Sequence, residues 1–155
     1  MLARGLDEID RNILRQLQKD AAIPNITLAR RVGLSPSPCL RRVQQLEEAG
    51  VVRNRVTLLD PTAVGLGMNV FIQVELEKQT ERTLRTFEKA VIENPQVMEC
   101  YLMTGEADYL LRVALADMEA FERFVVGFLT RIPGVARVRS SFTMKQVKYT
   151  TELPI

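Results

Sequence analysis

Residues 24–50 read PNITLARRVGLSPSPCLRRVQQLEEAG, and the break at Gly33 to Pro36 decides how the first third of the chain folds. Pro24-Asn25 opens a helix, with Asn25 as the expected N-cap and Leu28, Ala29 and Val32 as its inner face. Gly33 stands where a short helix ends in a left-handed residue. Ser35-Pro36 follows as a cap with Pro at the first helical position, so another helix starts almost at once. It runs to Ala49 and stops at Gly50. Only Gly33 and Leu34 separate the first helix from the cap of the second, which forces a sharp crossing, and the small Ala29 permits close approach. Residues 25–44 therefore have the spacing of a helix-turn-helix unit whose second helix can enter the major groove of DNA.

On that second helix, at about 100° per residue, Cys39, Leu40, Val43 and Leu46 share an apolar face. Arg41 and Gln45 lie opposite, flanked by Ser37, Pro38, Arg42 and Gln44, with Ser35 at the cap. Arg pairs with guanine and Gln with adenine through two hydrogen bonds each, while Ser serves bases or phosphates. No acid enters this face before Glu48. The arrangement suits DNA, although a three-helix bundle with a solvated polar face has the same pattern.

Upstream, Leu6, Ile9, Ile13, Leu14 and Leu17 recur at helical spacing, with Asp7, Glu8 and Asp10 at the favourable N-terminal end. Downstream, Val51-Val52, Arg53-Asn54-Arg55 and Val56-Thr57-Leu58 read as a small hairpin turning at Asn54, a wing that would bring Arg53 and Arg55 to phosphates. Surface solubility accounts for the two arginines equally well. Residues 1–60 form this first domain and 61–67, with Pro61, Gly65 and Gly67, the linker.

The charge is concentrated here. The 155 residues carry a net +2, but residues 25–55 hold six arginines against Glu47 and Glu48. Such local basicity fits a polyanion or a solvated basic face. Composition excludes more. There is no histidine, so no Ser-His or Cys-His pair and no His-ligated metal. Cys39 and Cys100 have no CxxC spacing and read as two reduced thiols of a cytoplasmic protein. Neither a catalytic residue nor a metal site is expected. The longest uncharged stretch, Pro61 to Val74, has 14 residues and includes Asn69 and Gln73. A spanning helix needs about 20 apolar residues. Arg4, Asp7, Glu8 and Asp10 precede any apolar run, unlike a signal peptide.

From residue 68 to 155 the periodicity changes. Val70, Ile72, Val74 and Leu76 alternate as a strand, and a helix with Leu84, Phe87 and Val91 inward closes at Asn94-Pro95. Strands follow at Val97 to Thr104 and Tyr109 to Leu115. Asp117 then caps a helix bearing Phe121, Phe124, Phe128 and Ile132, and a last strand starts at Val135. A shift of 37 residues maps Thr80, Leu84, Phe87 and Val91 onto Asp117, Phe121, Phe124 and Phe128. The fold class is therefore α+β, a helix-turn-helix followed by a ferredoxin-like β-α-β-β-α-β domain. Both faces of the central strands carry large apolar residues: Met98, Cys100 and Leu102 on one, Val97, Tyr101 and Met103 on the other. A second copy of the chain is expected to cover the face the helices leave open. The loop Thr104-Gly105-Glu106-Ala107-Asp108 is either a plain hairpin turn or a site for an amino-acid zwitterion, with Asp108 on the ammonium.

Leu6-Asp7, Leu28-Ala29, the run Val32 to Cys39, Arg42-Val43, Leu46-Glu47 and Gly50-Val51 resemble the leucine-responsive regulatory protein (Lrp)/AsnC family of transcription regulators. Gly105, Asp108-Tyr109-Leu110-Leu111, Asp117-Met118, Pro133-Gly134-Val135 and Val147-Lys148 resemble its regulation-of-amino-acid-metabolism (RAM) module. The resemblance implies a cytoplasmic, nucleoid-associated winged helix-turn-helix regulator. It implies double-stranded DNA as partner, dimers assembling into octamers or similar discs, and no cofactor. An amino-acid effector such as leucine or methionine would bind between dimers, at Leu102, Thr104, Gly105, Asp108, Met118, Ser141, Phe142 and Thr143. An amino-acid sensor or a nucleoid architectural protein is the alternative. The enzymatic sirohaem decarboxylase branch depends on His chemistry, which this chain lacks. Two departures stand out: Asn54-Arg55 replaces the usual Gly-Tyr, and Ser-Ser-Phe-Thr replaces larger apolar residues in the last strand.

Overall fold

The computed structural model describes residues 5–155, so residues 1–4, including the Arg4 counted above, lie outside the described residues. The chain divides into two compact units. One holds the chain up to Leu58 together with Lys148–Ile155, the other Leu59–Val147. The second domain was expected to run to residue 155; its last eight residues instead pack with the first unit.

In the first unit, helix α1 spans Glu8–Lys19, α2 Asn25–Arg31 and α3 Pro36–Glu48. Asp7 caps α1 reciprocally: its carboxylate accepts from the Asp10 N–H at 2.8 Å, and the Asp10 carboxylate accepts from the Asp7 N–H at 3.2 Å. Ile13, Leu14 and Leu17 of α1 pack with Leu28 and Ala29 of α2 and Cys39, Val43 and Leu46 of α3 in one core. Gly33, at φ 71°, occupies the left-handed region that lets α2 end and α3 begin two residues later.

Three local expectations change. Pro24, not Asn25, is the N-cap of α2; Asn25 is already helical, and its Nδ2 donates to the Pro36 carbonyl at 2.8 Å, tying the two helix starts together. Leu40 is half exposed, at the edge of a face whose buried centre is Cys39, Val43 and Leu46. No strand pair forms over 51–58. Val51 and Val52 turn their N–H groups back onto the Leu46 carbonyl, and Val56 and Leu58 are exposed. A lone two-stranded ribbon is marginal at best; here Val52 packs on the first unit's core instead.

The second unit has β1 Met68–Leu76, α4 Glu81–Glu93, β2 Val97–Leu102, β3 Tyr109–Leu115, α5 Met118–Gly127 and β4 Val135–Phe142. The sheet order is β2-β3-β1-β4, antiparallel throughout, which is the expected ferredoxin-like topology. Helix α5 is shorter than the phenylalanine periodicity suggested, passing at Phe128 into a 3-10 turn over Leu129–Arg131. Thr80 and Asp117 cap α4 and α5 at equivalent places in the two halves. One sheet face is the core: Val70, Ile72 and Val74 of β1 and Tyr109, Leu111, Val113 and Leu115 of β3 pack under Phe87, Val91 and Phe124. Each such side chain contributes about 1.5–3 kcal/mol on burial.

The other face is less apolar than expected. By alternation it carries Phe71, Leu110 and Tyr101, with Tyr101 and Leu110 as cross-strand neighbours. Ion pairs interrupt them: Arg112 with Glu99 at 2.6 Å, and Glu75 with Arg139 at 3.3 Å and Arg137 at 3.7 Å.

Candidate nucleic-acid interface and effector site

Helix α3 is amphipathic by construction. Cys39, Val43 and Leu46 are core, so the residues half a turn away must face out. Ser35, Ser37, Pro38, Arg41, Gln44 and Gln45 are all exposed. Arg41 makes no ion pair among the described residues, nor does Arg53. A 13-residue helix is about 20 Å long, and the major groove, about 12 Å wide, admits one.

Arg42 does not join this row. Its Nη1 donates to Asp7 Oδ2 and to Asp10 Oδ1, each at 2.8 Å, and its side chain is 23% exposed against 1% for Asp10. Hydrogen bonds to Asp7 and then Asp10 raise the guanidinium pKa further above its already high value. Arg42, expected beside Arg41 as a DNA contact, thus tethers α3 to the capping box of α1. Arg55 is also engaged, with Glu47 at 2.8 Å and the Ala21 carbonyl at 3.2 Å. That ion pair is solvent-exposed and holds the segment after α3 against the α1–α2 turn.

The eight expected effector residues do not converge within one copy. Leu102, Thr104, Gly105 and Asp108 lie at the end of the sheet where β1 finishes, since the Asp108 N–H donates to the Val74 carbonyl. Met118, Ser141, Phe142 and Thr143 lie where β1 begins, with Phe142 paired to Val70. Val70 and Leu76 are six positions apart along the strand, or about 20 Å.

Asp108 is not a free ligand for an ammonium. It is 9% exposed; its Oδ2 accepts from the Leu76 N–H at 2.6 Å and its Oδ1 from the Gln79 side-chain amide. Its carboxylate, expected on an effector's ammonium, fastens the end of β1. Thr104 and Gly105 remain exposed at the turn, where Gly105 holds φ at 126°.

The opposite end is more open. A cavity of about 370 Å³ is lined by Gly67, Met68, Asn69, Ala116, Phe142 and Thr143. The Phe142 ring packs edge-on against Phe121 at 4.9 Å. Asn69 Oδ1 and Thr143 Oγ1 are buried there without hydrogen-bond partners, although the Thr143 N–H donates to the Asn69 carbonyl. Buried polar atoms are ordinarily satisfied, and these two orphans line the same cavity. Sequence reading did not single out Asn69. Its signal was present as a polar residue in the otherwise apolar start of β1.

Two family models cover the chain: a winged helix-turn-helix DNA-binding model matches residues 6–53, and the Lrp/AsnC ligand binding domain matches 69–153. The chain is 44% identical to the Bkd operon transcriptional regulator of Pseudomonas aeruginosa over 97% of its length and 98% of that protein's. It is 40% identical to the leucine-responsive regulatory protein of Escherichia coli, over 98% and 93%. Among solved structures, a Neisseria meningitidis transcriptional regulator in complex with L-methionine superposes with a TM-score of 0.93 at 44% identity, over 97% of both chains. An AsnC-family regulator from Agrobacterium tumefaciens gives 0.91, also at 44% identity, over 96% of this chain and 97% of that one. These relatives are transcriptional regulators rather than enzymes, and no helix among the described residues is long and apolar enough to cross a membrane. With a DNA-reading helix in one unit, an effector module in the other and both family models matched, the chain belongs to the Lrp/AsnC family of transcriptional regulators.

Proposed function

We propose that the chain reads its operators with Ser35, Ser37, Pro38, Arg41, Gln44 and Gln45 of α3, with Arg53 on a flanking phosphate. The observation that carries this reading is that Arg41 and Gln45 stand exposed and uncommitted on a helix whose opposite face is core, while Arg42 beside them is tied down. An amino acid, methionine or leucine, tunes the binding. The Neisseria relative was solved with L-methionine, and the cavity beside Phe142 has the volume, an apolar wall and two unpartnered oxygens to receive an amino acid's ammonium.

Because the two halves of the expected effector site lie at opposite ends of one sheet, they can face each other only across two copies. That supports an effector held between neighbouring dimers in an octamer or similar disc. The Phe71, Leu110 and Tyr101 side of the sheet is the surface offered to a second copy. The work is done in the cytoplasm, on the nucleoid.

Selection of duplexes from a random pool, followed by affinity measurement with each of the twenty amino acids, tests this. Arg41→Ala should lose one bidentate base contact, about 1–3 kcal/mol, and leave the oligomer unchanged. Specific binding equal to wild type would overturn the reading of α3.

A further inference from the structure

Helix α1 carries a polar row that neither the core nor α3 uses. Arg15 and Gln18 are three residues apart, and so on one side of the helix. Together they hold the segment Leu153-Pro154-Ile155. The Gln18 amide reads the main chain of Leu153 in both directions: Oε1 accepts from its N–H at 2.6 Å, and Nε2 donates to its carbonyl at 3.1 Å. Arg15 Nε donates to the main-chain oxygen of Ile155 at 2.6 Å. Its Nη1 is meanwhile held by Glu8 and Asn12 at 2.8 and 2.7 Å, so the donor is aimed independently of the segment. The Ile155 N–H closes back on the Leu153 carbonyl at 3.0 Å, a three-residue turn centred on Pro154, whose ring restricts φ. That turn lays the Ile155 side chain against the helix-turn-helix core.

Such contacts are sequence-distant and reciprocal. They join α1 to a chain segment that begins in the effector domain: β4 ends at Phe142, and residues 143–152 continue to Leu153 without helix or strand. We propose that the Arg15–Gln18 face of α1 is a docking surface for Leu153–Ile155, and that docking couples the end of β4 to the DNA-reading unit. The proposal rests on the effector reading above only for the identity of the ligand. A ligand that reorders Phe142 and Thr143 acts on the strand whose continuation is the docked segment. By linkage, docking and ligand affinity change each other by the same factor.

The test is amide hydrogen exchange on the full chain. Docking predicts a Leu153 N–H that exchanges at least about tenfold more slowly than that of Thr151. Gln18→Ala and Ile155→Asp should each abolish that protection while the amides of α1 stay protected. Coupling predicts that Phe142→Ala and Thr143→Val, two changes of different severity, each alter Leu153 protection by about fivefold or more. Leu153 exchanging as fast as Thr151 in the wild type overturns the docking. Protection untouched by both the Phe142 and Thr143 variants overturns the coupling. L-methionine should shift the same protection. If these two variants move it and L-methionine neither binds nor moves it, the amino-acid reading fails while the docking and coupling stand.

Discussion

Replacing Arg42 by alanine separates its structural role from reading, because sequence alone puts Arg41 and Arg42 on equal terms. The change removes one donor shared by two carboxylates at 2.8 Å. Deleting one partner of a fully buried pair costs about 3–5 kcal/mol. Here Asp10 is buried, but the Asp7 side chain is 37% exposed and water reaches Arg42, so part of that cost is screened. Hydrogen bonds to charged groups contribute about 1.5–3 kcal/mol, and a loss of about 2 kcal/mol is expected. In a unit of this size each kcal/mol shifts Tm by about 4–8 °C, which places the Arg42→Ala transition about 8–16 °C lower. Calorimetry on the full chain reads this as a downward shift of the first unit's transition, with the second unlike it in being unmoved. Arg42→Lys keeps the charge but loses the guanidinium's geometry, and should recover part of the shift. Arg41→Ala should leave both transitions within about 0.5 kcal/mol of wild type. The reasoning fails if Arg42→Ala unfolds with wild-type Tm and weakens specific DNA binding as much as Arg41→Ala.

Asp108→Ala leaves the buried Leu76 N–H without its acceptor and should destabilise the second unit by about 1–3 kcal/mol, measured by denaturant titration; unchanged stability with a lost amino-acid response would restore Asp108 to the ligand site. Gly134→Ala should destabilise the same unit by about 2 kcal/mol or more, because φ is 90° and an added Cβ would stand 2.5 Å from Thr83 Cγ2. Gly33→Ala, also at positive φ but in open space, should cost less. Glu99 is held below its ordinary value of 4.5, chiefly by its hydrogen bond from Arg112. A depressed carboxylate stabilises the fold above its unfolded pKa and loses that contribution as pH falls through the folded one. Acid titration of Tm should therefore steepen below pH 4.5, and Arg112→Met should flatten it.

Much of this fold was legible because its signals are local. Gly33, Ser35-Pro36 and Gly50 punctuate two helices, and alternation at Val70 to Leu76 makes a strand whatever surrounds it. The capping residues Thr80 and Asp117 announced the two halves of the ferredoxin-like domain in the same way. What escaped were individual contacts with neighbours distant in sequence. Leu40 belongs to the apolar side of its own helix, yet it is left half exposed while Cys39 and Val43 beside it are core. The strand pair expected over 51–58 is absent, because Val51 and Val52 close back on the Leu46 carbonyl.

The candidate site divides along the same line. The sequence by itself determined which residue types line α3, that the chain has no histidine chemistry, and that a basic reader precedes a ferredoxin-like module. Tertiary structure alone decided which of those residues are free to act. Arg41 and Arg42 are adjacent and identical in type, yet one faces solvent and the other meets Asp7 and Asp10 across 32 to 35 residues of chain. Asp108, expected on an ammonium, accepts from Leu76 and anchors β1, whereas Asn69, read only as a polar residue of an uncharged stretch, carries an orphaned oxygen on a cavity. The reason is physical: a polar group's availability depends on the partners that folding brings to it, and those come from anywhere in the chain.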